Sequence, residues 1–287
     1  MNVLVATDGS KFGTWGLNWV AKLPFVVPPK VTALHVVDIA SLRAPFLSQP
    51  VMAGMERYIQ EEAQRMDARS AKALKEAKLQ LATLKLKGAV RKEQGAIAQT
   101  ILKRAPKRDG LLVVGSQGLD ALDRFMLGSV STNLIHHATC PVLVVKDAAV
   151  PLRRITLATD GSAASAKALA FVVKNFQPDT STGKGGHVPI HVTVIHAMPF
   201  IKYPELKTAG RHLVEQNVRK LVKAGFTAEA VYQLGKPAEE IMKVASKHQA
   251  DLIVMGAKGL GAIARFLLGS VSTRVVQHSS CSVLVVR

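Results

Sequence analysis

A spaced pattern of glycines occurs twice in this chain, and the two copies are 141 residues apart. In each copy two glycines stand three positions apart, and nine residues separate the second from a Gly-Ser pair. The positions are Gly115, Gly118, Gly128 and Ser129 in the first copy, and Gly256, Gly259, Gly269 and Ser270 in the second. Each copy follows a short apolar run and precedes a stretch of helical character. A strand that leads through a glycine loop into a helix can hold phosphate, because glycine lets the backbone approach an anion and the helix start offers unpaired N–H groups.

The offset also divides the chain into two units of similar size. A length of 287 residues suits about two domains, and we predict domains over residues 1–148 and 152–287. Within each unit, short apolar runs alternate with helical stretches, which is typical of strand–helix–strand crossovers. The predicted fold is α/β, with two tandem open parallel sheets of five strands and helices on both faces of each sheet.

Two insertions distinguish the repeats. Repeat 2 has about nine extra residues before its second strand, at the Gly/Ser/Thr-rich run Thr180–Gly186. Repeat 1 has about twenty extra residues after its second strand, around Ala40–Met55. That stretch contains Phe46, Met52 and Met55, so a lid or an interface is an alternative to a packed surface loop. One long helix is predicted after it, over residues 56–87.

The composition restricts the class of protein. The net charge of +18 is divided as +8 over residues 1–148 (20 basic, 12 acidic) and +10 over 149–287 (18 basic, 8 acidic). Such a field attracts nucleotides, nucleic acids and anionic lipids alike.

No apolar run is long enough to predict a membrane span and the chain start lacks a secretory signal, so we expect a cytoplasmic protein with no membrane partner. Cys140 and Cys281 are equivalent positions in the repeats and are expected to be free thiols.

Two further motifs recur at the ends of predicted strands. The first strand of each repeat runs into Ala-Thr-Asp-Gly-Ser, which contains Asp8 or Asp160. The second strand ends near His35 or His196, and both histidines are expected to have hydrogen-bond partners rather than to act as bases. Open parallel sheets bind ligands at the carboxyl ends of their strands. There an aspartate suits a ribose or adenine, and the glycine loop suits phosphates.

Taken together, these motifs resemble the universal stress protein family in its tandem, two-domain form. The resemblance covers nearly the whole chain, twice. Its most specific part is the glycine spacing, which is followed by Val-Ser and a terminal Val-Leu-Val-Val strand at Val142–Val145 and Val283–Val286. It implies the strand order 3-2-1-4-5, an ATP- or AMP-type ligand and antiparallel pairing of the two fifth strands within the chain. A further homodimer stays open.

The resemblance also implies roles for residues at matching positions. Asp8 and Asp160 would contact the nucleoside, and the backbone of Val36 and Ala197 would contact adenine. The loop glycines and the following serine would hold the phosphates, and Mg²⁺ beside those phosphates stays open. The complete expected nucleotide site is Thr7, Asp8, Val36, Gly115, Gly118, Gly128, Ser129 and Ser131 in repeat 1, with Thr159, Asp160, Ala197, Gly256, Gly259, Gly269, Ser270 and Ser272 in repeat 2.

The first functional hypothesis is a cytoplasmic stress-response protein that binds adenine nucleotide in each repeat. It would act as a sensor or adaptor, with at most slow ATP hydrolysis. We predict no catalytic residue and no metal ligand, because the sequence has no paired-carboxylate, Ser-His-Asp, Cys-His or metal-binding spacing. Two alternatives stay open: a slow ATPase or nucleotidyl-transfer enzyme on the same scaffold, and a charge-driven nucleic-acid-binding protein. The even charge distribution favours no specific nucleic acid.

Overall fold

The computed structural model describes residues 1–43, 53–107, 109–118, 127–148, 150–181, 187–199, 204–260 and 268–287. Of the three residues on which the expectation of a lid or an interface rests, Phe46 and Met52 lie outside these residues and Met55 lies in a described helix. Most of the run Thr180–Gly186 also lies outside them.

Repeat 1 alternates strands and helices as predicted. Its elements are β1 (Asn2–Ala6), α1 (Lys11–Lys22), β2 (Lys30–Val37), α2 (Ala40–Arg43), α3 (Ala53–Thr83), β3 (Gly88–Gln94), α4 (Ile97–Arg104), β4 (Leu111–Gly115), α5 (Ser129–His137) and β5 (Val142–Val145). The long helix ends earlier than predicted, at Thr83. Two residues later Lys85 has a φ of 54°, a left-handed conformation that cannot continue a right-handed helix.

Repeat 2 follows the same order with one addition. Its elements are β6 (Arg154–Ala158), α6 (Ala163–Asn175), β7 (Asp179–Ser181), β8 (His187–Pro189), β9 (His191–Met198), α7 (Pro204–Lys223), β10 (Thr227–Leu234), α8 (Pro237–Lys247), β11 (Leu252–Gly256), α9 (Ser270–His278) and β12 (Ser282–Val286). The addition is the antiparallel pair of β7 and β8, which borders the predicted insertion.

The main strands form one ten-stranded sheet in the order β10-β9-β6-β11-β12-β5-β4-β1-β2-β3. Within each repeat this is the order 3-2-1-4-5, and those strands run parallel. Alternate strand residues contribute to opposite faces: Val3 and Val5 belong to one buried cluster, and Leu4 to the other. Helices α1, α3, α6 and α7 cover the first face, and α4, α5, α8 and α9 cover the second.

The two fifth strands join the repeats. β12 pairs with β5 in antiparallel orientation, with Leu284 opposite Leu143 at the centre. Because the halves run in opposite directions, the carboxyl ends of their parallel strands point to opposite edges of the sheet. Each edge at which the carboxyl ends of parallel strands meet therefore belongs to one repeat.

The end of each fifth strand also contacts the other repeat. The ammonium of Lys146 donates to the carbonyl oxygens of Ser279 (2.7 Å) and Gln277 (3.2 Å) at the end of α9. At the equivalent position in repeat 2, the guanidinium of Arg287 donates to the carbonyl of Ile135 in the last turn of α5. Each repeat thus supplies a cation to the carboxyl end of a helix in the other, where the helix dipole favours positive charge.

Candidate functional site

A cavity opens at the carboxyl ends of the strands in each repeat. The cavity of repeat 1 (cavity 1) has a volume of about 490 Å³, and that of repeat 2 (cavity 2) about 500 Å³. All eight residues expected at the site in repeat 1 line cavity 1, and all eight expected in repeat 2 line cavity 2. The aspartate and the first loop glycine are 107 positions apart in repeat 1 (Asp8 to Gly115) and 96 in repeat 2 (Asp160 to Gly256). The motifs of each repeat nevertheless meet in one cavity.

The glycine loop folds back so that a helix starts at the cavity wall. The amide of Gly128 donates to the carbonyl of Ser116 at 2.8 Å, and α5 begins at the next residue. The hydroxyl of Ser131 donates to the carbonyl of Gly115 at 2.7 Å, which fastens the first turn of α5 to the end of β4. Repeat 2 makes the same backbone closure, since the amide of Gly269 donates to the carbonyl of Ala257 at 2.8 Å.

The first two glycines of the pattern are required by the packing of the protein around them. A Cβ at Gly115 would lie 2.6 Å from the Cβ of Phe12, so the packing of α1 against β4 requires glycine there. A Cβ at Gly118 would lie 2.8 Å from Oδ2 of Asp8, and one at Gly259 would lie 2.6 Å from Oδ2 of Asp160. These two glycines therefore allow the loop to lie against the aspartate.

The third glycine of each repeat is not required by the protein around it. Gly128 has a φ of −65° and Gly269 a φ of −68°, values that any residue adopts. A Cβ at Gly128 would find no described atom closer than 3.6 Å, and one at Gly269 none closer than 3.4 Å. Both residues line a cavity, so the absence of a side chain leaves that space open.

These glycines are also the N-caps of α5 and α9. Neither helix has a side-chain cap, and neither has an acidic residue in its first turn. By contrast, Ser10 caps α1 and Ser162 caps α6 with their own hydroxyls. Serine, asparagine and aspartate stabilise a helix start better than glycine does, so α5 and α9 present open N–H groups and positive dipole ends to the cavities.

The two aspartates are held in place by backbone amides. Asp8 Oδ1 accepts from the amide of Ser10 at 2.9 Å, and Asp160 Oδ1 accepts from Ser162 at 3.0 Å. Asp160 Oδ2 also accepts from the amide of Leu260 at 3.2 Å, directly after the second glycine of the loop. In each repeat the carboxylate is thus fixed between the end of the first strand and the loop.

The two strand-end histidines have hydrogen-bond partners, as predicted. Nδ1 of His35 lies 2.8 Å from the carbonyl oxygen of Thr7, and Nδ1 of His196 lies 2.8 Å from that of Thr159. A carbonyl oxygen only accepts, so Nδ1 carries the proton in both rings. Each histidine therefore fixes the backbone directly before the site aspartate.

The cavity walls include residues that the sequence motifs did not identify. Cavity 1 adds apolar side chains from α4, namely Ile97 and Ile101, with Asp38 near α2, Met66 and Arg69 from α3, and Gln117 from the loop. Cavity 2 adds Pro199, Ile241 and Lys258 among others. The fixed 141-residue offset pairs Gln117 with Lys258, so the difference between them was visible in the sequence. The contributions of α3 and α4 depend on tertiary packing and carried no such signal.

Among the described residues, no cluster of histidine, cysteine and acidic side chains could hold a metal ion. In the same part of the chain, no helix has the length and apolar character to span a membrane.

Comparisons with known proteins agree with this architecture. The profile of the universal stress protein family matches residues 1–146 and again residues 151–287. A universal stress protein of Mycolicibacterium smegmatis is 29% identical over 303 aligned residues, covering 99% of this chain and 96% of that protein. One from Bacillus subtilis is 34% identical over 146 residues, covering 47% of this chain and 98% of the relative.

Among solved structures, a universal stress protein from Archaeoglobus fulgidus has the same fold, with a TM-score of 0.69 and 22% identity over 100% of this chain and 98% of that one. The two profile matches, one for each half of the ten-stranded sheet, show that the chain belongs to the universal stress protein family and carries two family domains in tandem.

Proposed function

We propose that this protein binds one adenine nucleotide in each repeat and acts in the stress response as a sensor or adaptor. The observation that carries the proposal is the pair of N-cap glycines, Gly128 and Gly269. The protein's own packing leaves room for a side chain at both, and serine, asparagine or aspartate would stabilise the helix start by a few tenths of a kcal/mol more than glycine does. A ligand that must approach the helix start closely accounts for glycine at both positions.

The cavity offers a suitable place for each part of a nucleotide. The phosphates would lie at the open N–H groups of α5 and α9, and Asp8 or Asp160 would accept from the ribose hydroxyls. The base would lie toward the second strand, beside the backbone of Val36 or Ala197. In cavity 1, Ile97 and Ile101 provide an apolar wall for it. A volume of about 500 Å³ is within the range of small-molecule sites.

We infer slow hydrolysis at most, because in this pose Asp8 and Asp160 lie at the ribose and not at the phosphates. His35 is buried, with 8% of its surface exposed, and it adjoins Val36 at the base end of the pose. A general base must instead reach the attacking water. Binding without rapid turnover suits a protein that reports nucleotide levels to a partner.

The test uses substitutions that fill the glycine cradles without a clash in the protein. The purified chain is denatured and the released nucleotide is identified by mass spectrometry. Calorimetric titration of the nucleotide-free protein should then give about two equivalents. Gly128→Ala and Gly269→Ala should each weaken one site at least tenfold, because the added methyl group separates the phosphate from charge-assisted hydrogen bonds worth about 1.5–3 kcal/mol each.

Each single variant is the internal control for the other, since its second cavity is unchanged. The free energy of unfolding should change by less than about 1.5 kcal/mol, because alanine replaces glycine at a helix start with no close contacts. If the double variant binds nucleotide as tightly as the parent, the site assignment is wrong. Rapid ATP turnover by the parent would favour the enzyme alternative, and tight duplex-DNA binding at physiological salt would favour the nucleic-acid alternative.

A further inference from the structure

The two glycine loops differ in charge although their spacing is the same. Between the first and last glycine of the pattern, repeat 1 carries Asp120, Asp123 and Arg124, a net charge of −1. The equivalent stretch of repeat 2 carries Lys258 and Arg265, a net charge of +2. Within the part of the chain that the structure describes, the difference reduces to Lys258 in repeat 2 against the neutral Gln117 in repeat 1, and both residues line their cavities.

The difference is located at the part of the site proposed for phosphate. Gln117 and Lys258 occupy the same position, directly before the second glycine, and each lines its cavity. Gln117 is neutral and only 8% exposed. The ammonium of Lys258 has no ion-pair partner among the described residues, and its backbone carbonyl accepts from the hydroxyl of Ser162 at 3.3 Å. The loop is thus anchored through the main chain, and the lysine charge is available to a ligand.

A second pair of equivalent positions also makes the lining of cavity 1 more negative than that of cavity 2. Asp38 lines cavity 1 and Pro199 lines cavity 2, each three residues after the second-strand histidine. Arg69 of α3 also lines cavity 1 and adds one positive charge to its lining. With Asp8, Asp38 and Arg69 in one cavity and Asp160 and Lys258 in the other, the described lining of cavity 1 is still more negative by one charge.

We propose that the two cavities divide nucleotides by phosphate charge: cavity 2 prefers a nucleoside triphosphate, and cavity 1 prefers a nucleotide with fewer phosphates, such as a monophosphate. The inference rests on the proposed function, since it assigns a ligand class to each nucleotide site. Lys258 would donate a charge-assisted hydrogen bond to the β- or γ-phosphate. A monophosphate lacks those groups, so the lysine would discriminate between the two ligands.

The experiment measures ATP and AMP affinities of each cavity in the full chain. Gly128→Ala weakens nucleotide binding in cavity 1, so the titration of that variant reports cavity 2. Gly269→Ala weakens binding in cavity 2, so its titration reports cavity 1. Titrations in EDTA give ATP its full charge, and a second series contains Mg²⁺. Cavity 2 should have an ATP-to-AMP affinity ratio at least tenfold higher than that of cavity 1. Lys258→Gln should lower the ATP affinity of cavity 2 about tenfold and leave that for AMP within about threefold.

The matched control is Lys247→Gln, which removes the same charge from an exposed position at the end of α8. It should leave both ratios unchanged. In the opposite direction, Asp38→Asn, which removes a negative charge from the lining of cavity 1, should raise the ATP-to-AMP ratio of that cavity.

The outcomes separate this inference from the function on which it rests. If the parent binds neither ATP nor AMP, the proposed function fails. If both cavities bind nucleotide with the same ATP-to-AMP ratio, or if Lys258→Gln lowers both affinities equally, the division by phosphate charge is wrong and nucleotide binding stands.

Discussion

Cys140 and Cys281 occupy equivalent positions in the two repeats, and the pairing of the two fifth strands gives them similar surroundings. Continued by two residues, the antiparallel register of β5 and β12 places Arg287 opposite Cys140 and Lys146 opposite Cys281. The two thiols therefore lie at opposite ends of the strand pair, and both are free and buried. Burial raises the pKa of Cys140 to about 11 and that of Cys281 to about 12.

These thiols should be unreactive until the protein unfolds. The thiolate is the reacting species. The raised pKa values make the thiolate population at pH 8 smaller than in an unfolded chain, by about 100-fold for Cys140 and about 1000-fold for Cys281. Ellman's reagent should find no rapidly reacting thiol in the native protein and two after denaturation. A rapidly modified cysteine in the native state, or fewer than two thiols after unfolding without reductant, would contradict the arrangement.

At the scale of elements, the end of α9 depends on a lysine from the other repeat. Burial lowers the pKa of Lys146 to about 8 from an ordinary 10.5, although the neighbouring Cys281 and Asp147 favour the ammonium. The folded protein therefore binds fewer protons than the unfolded chain between about pH 8 and 10.5. Over that range the contribution of Lys146 to stability must rise with pH, by at most about 1.4 kcal/mol per pH unit.

Lys146→Met should remove this rise. Denaturant unfolding of the parent and the variant from pH 7 to 10 should give a difference in unfolding free energy that is constant below about pH 8 and then grows in favour of the parent. The cysteines act in the opposite direction above about pH 9, where their raised pKa values lower stability, and Cys281 is coupled to Lys146. The rise is therefore assessed between about pH 8 and 9. Lys247→Met, at an exposed position, should show no such trend. A flat difference for Lys146→Met would mean that its ammonium is not desolvated.

The sequence predicted most helices and strands because the pattern that indicates each of them recurs in both repeats. Apolar strands, turn residues and the loop glycines recur at the same spacing, so the strands were predicted and all sixteen expected site residues line the two cavities. Their role in binding nucleotide stays a prediction. The pairing of β7 with β8 was not predicted, since three-residue strands have no hydrophobic period to detect. The early end of α3 was missed for a related reason: basic residues with helical spacing continue past Thr83, and the left-handed Lys85 that ends the helix has no sequence signature.

The walls of the cavities show the same limit of prediction from sequence. Asp8 and the loop glycines stand next to strands that the sequence reveals. Met66 and Arg69 lie in the middle of α3, and no local pattern relates them to a cavity that forms at the end of β1. Their position depends on how a 31-residue helix packs across the sheet, which is a tertiary property.

At the scale of the whole molecule, the two repeats share their cores. Each of the two buried clusters contains residues from both repeats. On one face the rings of Phe25 and Phe176 meet with centroids 5.8 Å apart, and the amide of Gln177 donates to the carbonyl of Pro24 at 2.7 Å. The boundary between the repeats is therefore packed like an interior.

We expect this continuity to make the chain unfold as one unit. Scanning calorimetry should show a single transition, with a calorimetric enthalpy equal to the van't Hoff enthalpy. Binding of nucleotide to either cavity should then move the whole transition to higher temperature. Two resolved transitions, only one of which responds to a ligand confined to one cavity, would show that the halves fold independently.

The antiparallel joint between β5 and β12 also has a consequence for how such a chain can evolve. In a symmetric dimer of separate chains, every mutation appears in both ligand sites at once, so neither site can change alone. Here the two halves are encoded separately yet are built into one sheet. A substitution such as that between Gln117 and Lys258 can alter one cavity while natural selection preserves the other. Duplication within one chain thus keeps the geometry of a dimer and releases it from the requirement that its two halves be identical.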